Sequence, residues 1–259
     1  MARITVHMVV KNEEQWVWYA LSSVIHYVEQ ILIYDTGSKD QTLDIIKAFN
    51  HPKIQVKTKP VKNPAEITML RNEQLKNTKT DWFMLLDGDE VWPHKAIQEL
   101  VKTVAVVNSK VAAIVVKARV PVGDLYHYQP VSAGRYNLLG KTGHFNIRVY
   151  RKLPDYRWMG VYPLEAFQNQ KQLKIQDEPD RLKMLSHEYW HMTHLYRSSI
   201  DTHRKRKLEI GIPEKTELPE VFFLDRPAII KSPWVKFTVI ENIVAIGMTP
   251  LLRLKRAYI

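Results

Sequence analysis

The chain has 259 residues, 45% of them hydrophobic and 25% charged, a composition typical of a globular protein that can bury a full core. It contains no cysteine, which excludes disulfides, zinc-thiolate sites and thiol nucleophiles. The net charge of +11 would attract polyanions such as nucleic acid, an anionic membrane or a nucleotide diphosphate, although a solvated basic face explains it equally well.

The first half of the sequence alternates strand and helix patterns. Strands are predicted over residues 3–10, 31–34, 54–56, 82–86 and 111–120. Helices are predicted over residues 12–28, 40–49, 65–76 and 93–107. Repeated strand–helix units of this length predict a parallel sheet with right-handed crossovers.

The second half has a different character. Residues 122–141 are rich in Tyr, Gly and Pro, which is typical of a loop or hairpin region over a site. Residues 144–151 alternate strongly and predict a strand, whereas residues beyond about 195 indicate basic helices. No linker separates two independent units. We therefore expect one domain over residues 1–195 and a basic helical extension over residues 196–259.

No segment of the sequence has the pattern of a membrane span or a signal peptide. The amino terminus enters a strand pattern at once, without the apolar stretch and cleavage site of a secretory signal. The longest apolar candidate, residues 237–252, contains Glu241 and Pro250 and is better explained as a helix. Apolar and basic residues are mixed there, so this stretch could lie on an anionic membrane, cover the core or form a dimer. We expect a cytoplasmic protein, with peripheral contact to the inner face of the membrane as a further hypothesis.

The most informative motif follows the predicted strand over residues 82–86. That run of five apolar residues predicts a strand buried on both faces, and Asp87, Gly88 and Asp89 come directly after it. We expect the backbone freedom of Gly88 to let the chain turn so that both carboxylates face one ligand. Two hard oxygen ligands suit Mg²⁺ or Mn²⁺. The alternative is an acidic turn that caps the next helix.

Polar clusters also follow the first two predicted strands, over residues 11–14 and 35–42. In a parallel sheet the carboxyl ends of the strands meet at one edge, so these clusters and the Asp87 motif should converge on a single crevice. Taken in this order, the motifs resemble the family-2 glycosyltransferases with a GT-A fold, over about residues 3–120. The resemblance implies an α/β fold with a Rossmann-like, mostly parallel central sheet flanked by helices. It also implies inverting transfer from a nucleotide-diphosphate sugar, usually with a divalent metal.

The resemblance divides residues 1–195 into a nucleotide-sugar half, about 1–120, and an acceptor half, about 121–195. It assigns Asn12 and Glu13 to the nucleotide base and ribose, and Asp35 to the uracil or ribose edge. Asp35 could instead be a turn residue of its loop. Arg71 would contact the diphosphate or tie its loop to Asp87.

The resemblance also implies a metal site for Mn²⁺ or Mg²⁺. Asp89 is the expected direct ligand, while Asp87 would contact the ribose or the metal and Gly88 would lie against the nucleotide sugar. One downstream histidine, His191 or His194, would reach the metal and diphosphate. A purely structural role for the histidines is the alternative.

An inverting transfer needs a base that takes the proton of the attacking hydroxyl. Asp124, Asp155, Glu165 and Glu188 are the candidates in the second half. We favour Glu165 because residues 158–165 are similar to a Gly-any-Val-His-Glu segment of related bacterial enzymes. The alternative is a surface glutamate. The acceptor is expected to be a carbohydrate or a lipid-linked molecule.

Three other functions compete with this interpretation. The segment from His187 to His191 matches the His-Glu-any-any-His pattern of zinc proteases, in which both histidines share one helix face, but no third-ligand motif follows. A nucleotidyltransferase would normally carry a glycine-rich loop after its first strand, and residues 11–14 contain no glycine. A nucleic-acid-binding module is disfavoured because the Asp87 motif would repel phosphate without a metal. Arg197, Arg204 and Arg206 are further candidates for phosphate contacts.

Overall fold

A computed structural model describes residues 3–200 and 207–257 of the chain. Its strands, in chain order, are β1 (Ile4–Val10), β2 (Gln30–Asp35), β3 (Ile54–Thr58), β4 (Trp82–Leu85), β5 (Glu90–Val91), β6 (Ala113–Arg119), β7 (Pro121–Val122), β8 (Asp124–Tyr128), β9 (Tyr136–Leu138), β10 (Lys141–Gly143), β11 (Phe145–Arg151), β12 (Tyr156–Met159), β13 (Ala166–Asn169), β14 (Leu182–Met184), β15 (Tyr189–His191) and β16 (Ile212–Pro213). Its α-helices are α1 (Val17–Val24), α2 (Thr42–Phe49), α3 (Pro64–Asn77), α4 (His94–Val106) and α5 (Val239–Ala257).

The central sheet has the strand order β3-β2-β1-β4-β11-β6-β15-β5, with β14 also paired to β6. The first four strands of that order are parallel, as the repeated strand–helix units predict. Strand β11 lies antiparallel between β4 and β6, whereas β14 and β15 run parallel to β6. The expected α/β architecture, a mostly parallel sheet flanked by helices with a helix at the C-terminal end, is confirmed.

Strand β4 explains why the sequence around it is continuously apolar. Trp82 and Met84 lie in a core cluster that includes residues of α1, α2 and α4. Phe83 and Leu85 point to the other side of the sheet, where they pack in a second cluster with Leu75 of α3 and residues of β11, β12 and β13. Because successive side chains of a strand face opposite ways, a strand covered on both sides needs apolar residues at every position.

The helical prediction for the C-terminal part is confirmed only for α5. Residues 196–200 and 207–238 contain no α-helix and follow the surface of the main domain. Prolines recur through this segment, at positions 213, 219, 227 and 233, and each removes a backbone donor and disfavours a helical residue before it. Phe222 and Ile230 from this segment are buried in the main core. Helix α1 is also shorter than the predicted range 12–28.

Helix α5 begins at a capping box. Thr238 Oγ1 accepts from the backbone N–H of Glu241, whose carboxylate accepts from the backbone N–H of Thr238 at 2.8 Å. Within the described residues, no helix combines the length and the apolar character needed to cross a bilayer.

Candidate active site

The carboxyl ends of three neighbouring strands meet at one edge of the sheet. Val10 at the end of β1 is in register with Asp35 at the end of β2. On the other side of β1, His7 is in register with Leu85, so β4 delivers the Asp87 motif to the same edge. The polar clusters predicted to converge therefore do converge, because parallel strands share their direction.

The first two loops at this edge are tied to each other. The backbone N–H of Asn12, which has a left-handed conformation, donates to Ser38 Oγ, and Asn12 Oδ1 accepts from the N–H of Lys39 at 2.8 Å. The buried Asp35 carboxylate accepts from the backbone N–H groups of Gly37 and Ser38. Asp35 thus fills the turn role that the sequence left open, and its contact with a nucleotide stays a prediction.

Gly88 is needed for close packing rather than for an unusual backbone angle. Its φ does not lie in the left-handed region, so the expected reason for glycine was wrong. A Cβ at this position would lie 2.7 Å from Cγ of Glu13 and 3.2 Å from a methyl group of Val10. Glycine lets the Asp87 motif approach the loop after β1 to within direct contact.

Asp89 is buried and surrounded by cationic groups. Arg197 Nη1 lies 2.8 Å from one oxygen of Asp89, and His191 Nε2 lies 3.5 Å from the other. The same guanidinium donates to the buried carboxylate of Glu13. Arg197 therefore joins the loop after β1 to the loop after β4, although the two are separated from it by more than a hundred residues.

Asp87, Glu90 and His191 form a second arrangement at the same edge. One ligand atom from each lies within 4.8 Å of the other two. Arg148 of β11 donates to Glu90, to Asp87 at 3.2 Å and to the hydroxyl of Tyr189 at 3.2 Å. The sequence pointed to Asp87 and His191 but missed Glu90 and Arg148. A charged residue inside the strongly alternating segment 144–151 was the available signal for Arg148.

Burial and the neighbouring charged groups shift the pKa values of the side chains in this site. Burial opposes ionisation of Asp87, but Arg148, Arg71 and His191 together outweigh it, and the pKa of Asp87 is lowered. Burial raises the pKa of Glu90 against the attraction of Arg148, and the charges of Asp87 and Asp89 add to the rise. Burial opposes the imidazolium form of His191, but the neighbouring Asp89 raises the pKa of His191 overall.

We name this site the acidic crevice because carboxyl groups outnumber guanidinium groups in it. Its carboxyl groups belong to Glu13, Asp87, Asp89, Glu90 and Glu165, and its guanidinium groups to Arg71, Arg148 and Arg197. Carboxylate oxygens with one imidazole are a donor set that suits Mn²⁺. The residues present therefore fit the expected metal.

Glu165 is held beside this edge by α3. Its side chain is only 6% exposed, so the surface alternative is wrong, and its Oε1 lies 3.0 Å from Nε of Arg71. Oε2 is buried and has no hydrogen-bond partner among the described residues. Arg71 also lies close enough to Asp87 to contribute to the lowering of the pKa of that carboxyl. One guanidinium thus links the proposed base to the Asp87 motif.

The segment that leads to Glu165 is anchored to α3 by Asn72, the residue after Arg71. Asn72 accepts from the backbone N–H of Trp158 at 2.9 Å and donates to the carbonyl of Trp158 at 2.8 Å. The Arg71 guanidinium lies over the Trp158 ring, 5.4 Å from its centroid. Arg71 lies in the middle of α3 and contacts both the Trp158 ring and the carboxylate of Glu165.

The other carboxylates considered as bases are engaged elsewhere or exposed. Asp124 binds the N–H of Tyr126 and the ring of His127 within its own strand region. Glu188 pairs with Lys117 and Arg119. Asp155 is exposed in the turn before β12.

The zinc-protease alternative is not supported by the geometry. Residues 189–191 are a strand, so the predicted shared helix face of His187 and His191 is wrong. His187 instead binds the carboxylate of Glu99 on α4, with Nδ1 2.7 Å from Oε2. His194 lies outside the Asp87, Glu90 and His191 arrangement, and burial lowers the pKa of His194 to about 3. Arg204 and Arg206 lie outside the described residues.

Proteins similar to this chain include glycosyltransferases. The glycosyltransferase SunS of Bacillus subtilis strain 168, described as derived from the SPbeta prophage, is 27% identical over 105 residues, which are 40% of this chain and 24% of SunS. The matched segment thus spans about a quarter of the length of that curated relative.

Solved structures similar in fold include S. aureus TarS in complex with UDP-GlcNAc, with a TM-score of 0.47 and 17% identity over 73% of this chain and 58% of that one. The mannosyltransferase PcManGT from Pyrobaculum calidifontis, in complex with GDP-Man and Mn²⁺, has a TM-score of 0.38 and 21% identity over 45% of this chain and 36% of that one. The sequence pattern of glycosyl transferase family 2 matches residues 5–190, which is most of the chain. The chain therefore belongs to glycosyl transferase family 2.

Proposed function

We propose that the protein is a metal-assisted inverting glycosyltransferase that moves a sugar from a nucleotide-diphosphate sugar to a hydroxyl group of a carbohydrate or lipid-linked acceptor. The observation that carries the proposal is the acidic crevice at the carboxyl ends of β1, β2 and β4. Family membership supports the reaction class. We propose that residues of that crevice hold the donor and the metal and supply the base.

The donor nucleotide would lie over the loops after β1 and β2. Asn12, Glu13 and Asp35 are the residues proposed to face the base and ribose. The backbone of Gly88 is proposed to line the same donor site, held close to Glu13. Asn12 ties the two loops together through its side chain, so this surface is formed before a ligand arrives. A preformed surface lowers the entropy that binding has to offset.

The metal would be held by Asp87, Glu90 and His191, with Asp89 as a further ligand that would exchange Arg197 for the ion. His194 lies close enough to His191 for their charges to interact, and it would lie beside the metal rather than bind it directly. A bound Mn²⁺ or Mg²⁺ would neutralise charge on the departing diphosphate. Arg148 donates to both Asp87 and Glu90, which supports a fixed arrangement of these two side chains.

Glu165 is proposed to accept the proton of the acceptor hydroxyl. Its Oε1 is engaged by Arg71, whereas Oε2 is buried without a partner among the described residues, which leaves one oxygen to take a proton. As the acceptor oxygen bonds to the anomeric carbon, the bond from that carbon to the diphosphate oxygen breaks on the opposite face. The configuration is thereby inverted, and the leaving diphosphate takes the bonding electrons.

Thermal shift against UDP, GDP, dTDP and CDP, each with and without Mn²⁺, tests the donor site. We expect one nucleotide to raise the melting temperature of the wild type in a metal-dependent way, and the rise to disappear in Asp87→Asn. The matched variant Glu165→Gln should keep the shift, since the proposed base does not hold the nucleotide. If no nucleotide shifts the wild type with either metal condition, the proposed donor site is wrong.

A further inference from the structure

Helix α5 has a large apolar surface that no other described part of the chain covers. The exposed apolar side chains of this helix, each between 41% and 76% exposed, are Val239, Ile240, Ile243, Val244, Ile246, Met248, Leu251 and Leu254. Scattered single apolar residues are normal on a protein surface, but a contiguous set of this size marks a contact surface.

The opposite side of α5 is fixed to the protein. Ala245 and Thr249 are buried, and Thr249 Oγ1 accepts from the backbone N–H of Ile210 at 2.7 Å. Arg256 forms two hydrogen bonds, at 2.7 and 2.9 Å, to the buried carboxylate of Glu209. These contacts hold the helix in one orientation. Its opposite side therefore stays exposed while the helix remains folded against the protein.

The outward surface is bounded by positive charge on both sides. At the usual helical rotation, Arg253 and Lys255 flank an arc of roughly 160° of the helix circumference. Within residues 239–257 that arc contains only apolar side chains and one glycine, and both flanking residues are exposed. We call this surface, which includes Ile243, Ile246 and Leu254, the apolar arc.

Exposed aromatic side chains lie just ahead of the helix. Trp234 is stacked on Tyr126 with 6.1 Å between ring centroids, and Phe223 lies 5.3 Å from Trp234. All three are more than a third exposed, with Phe223 at 65%. Trp and Tyr rings favour the boundary between water and lipid because they combine an apolar body with a polar group.

We infer that α5 lies flat on an anionic membrane surface, with the apolar arc at the boundary between headgroups and acyl chains and Arg253 and Lys255 at the lipid phosphates. An apolar helix face with basic residues at its edges is the pattern of an interfacial helix. The net charge of +11 favours an anionic over a zwitterionic surface. A second copy of the chain carries the same net charge of +11, which opposes association through this face. The inference does not depend on the proposed transferase activity.

Cosedimentation of the full chain with vesicles tests the inference. Vesicles of phosphatidylcholine alone are compared with vesicles of phosphatidylcholine and phosphatidylglycerol. We expect binding to the anionic vesicles, and a loss of about tenfold or more in a variant with Ile243→Ser, Ile246→Ser and Leu254→Ser. The matched control, Met69→Ser with Val106→Ser, removes side chains that are 69% and 82% exposed elsewhere and should bind like the wild type.

The charge contribution is tested separately. Arg253→Gln with Lys255→Gln should weaken binding to the anionic vesicles, whereas Lys79→Gln with Lys102→Gln, the same loss of charge at other exposed positions, should not. Unchanged melting temperatures establish that the variants fold. The inference is overturned if the wild type stays in the supernatant with anionic vesicles. It is also overturned if the wild type forms a dimer that the serine variant dissolves, because a second copy then covers the arc.

Discussion

The acidic crevice and helix α5 differ in whether their side chains find partners within the chain. In the crevice each guanidinium meets a carboxylate of the same chain, as Arg148 does with Glu90, and the pairs are largely buried. On α5 the apolar arc and the cations beside it are exposed and have been left to the surroundings. The internally paired charges of the crevice suit the proposed small, charged donor, whereas the exposed surface of α5 suits the extended membrane surface inferred above. Stability should therefore depend strongly on the crevice and weakly on the arc.

The largest effect is expected for catalysis in the crevice. Glu165→Gln should lower the rate of sugar transfer about a thousandfold, because the amide cannot accept the proton of the acceptor hydroxyl. Steady-state transfer assays measure the change. Asp155→Asn, an exposed carboxylate of the same half of the protein, serves as the control and should retain activity. A wild-type rate of transfer in Glu165→Gln would mean that another residue is the base.

Removal of the Arg148 guanidinium should show how much its buried ion pairs contribute to the free energy of unfolding. Arg148→Met leaves the carboxylates of Asp87 and Glu90 without their shared partner, which should lower the free energy of unfolding by about 3–5 kcal/mol. Urea denaturation measures it. Adding Asp87→Asn to that variant should recover part of the loss, since the carboxylate that Arg148 helps to keep ionised is then removed. Independent, additive effects of the two substitutions would contradict the coupling.

A pH dependence should arise at the edge of the crevice, where Glu14 is buried. Burial opposes its charge, but bonds from Lys231 and Ser199 lower the pKa of Glu14 from 4.5 to about 2. Because the folded pKa lies below the unfolded one, this stabilisation is present above pH 4.5 and is lost as the pH falls towards 2. Glu14→Gln should therefore cost about 3 kcal/mol at pH 7 and flatten the acid limb of stability.

The exposed Glu29 provides the control for this pH effect. Glu29→Gln should leave both the stability at pH 7 and the shape of the acid limb close to those of the wild type. Urea midpoints measured from pH 7 down to pH 2 distinguish the two variants. An acid limb that Glu14→Gln leaves unchanged would show that other carboxylates govern the acid response.

The smallest effect is expected on the arc. Ile243→Ser should change the free energy of unfolding by less than about 0.5 kcal/mol, because the side chain is already 64% exposed. The measurement is again urea denaturation, without lipid. A large destabilisation would mean that the arc packs against part of this chain, and the contrast between the two regions would then fail.

Part of the crevice could be predicted because it depends on strand direction. Asp35 and Asp87 each follow an apolar strand pattern, and parallel strands bring such ends to one edge. The partners of these residues could not be predicted in the same way. Arg148 comes from an antiparallel strand inserted between β4 and β6, and Arg197 from an irregular segment after β15. Local periodicity does not indicate which distant carboxylates either arginine pairs with.

The C-terminal part shows the same division. Apolar and basic periodicity correctly predicted a helix at α5, yet the same periodicity wrongly predicted helices over residues 207–238, where prolines interrupt the backbone hydrogen bonds. The histidine pattern from His187 to His191 likewise matched a helical motif but formed a strand, because β15 pairs with β5 and β6.

The sequence by itself determined the alternation of strands and helices over about the first 120 residues, the buried strand before Asp87, and the family to which the chain belongs. These properties depend on local patterns of apolar and polar residues. Only the tertiary structure decided which carboxylates are paired, why position 88 must be glycine, and which face of α5 is exposed. Those properties depend on distances between segments far apart in the chain. Local periodicity carries no information about such distances.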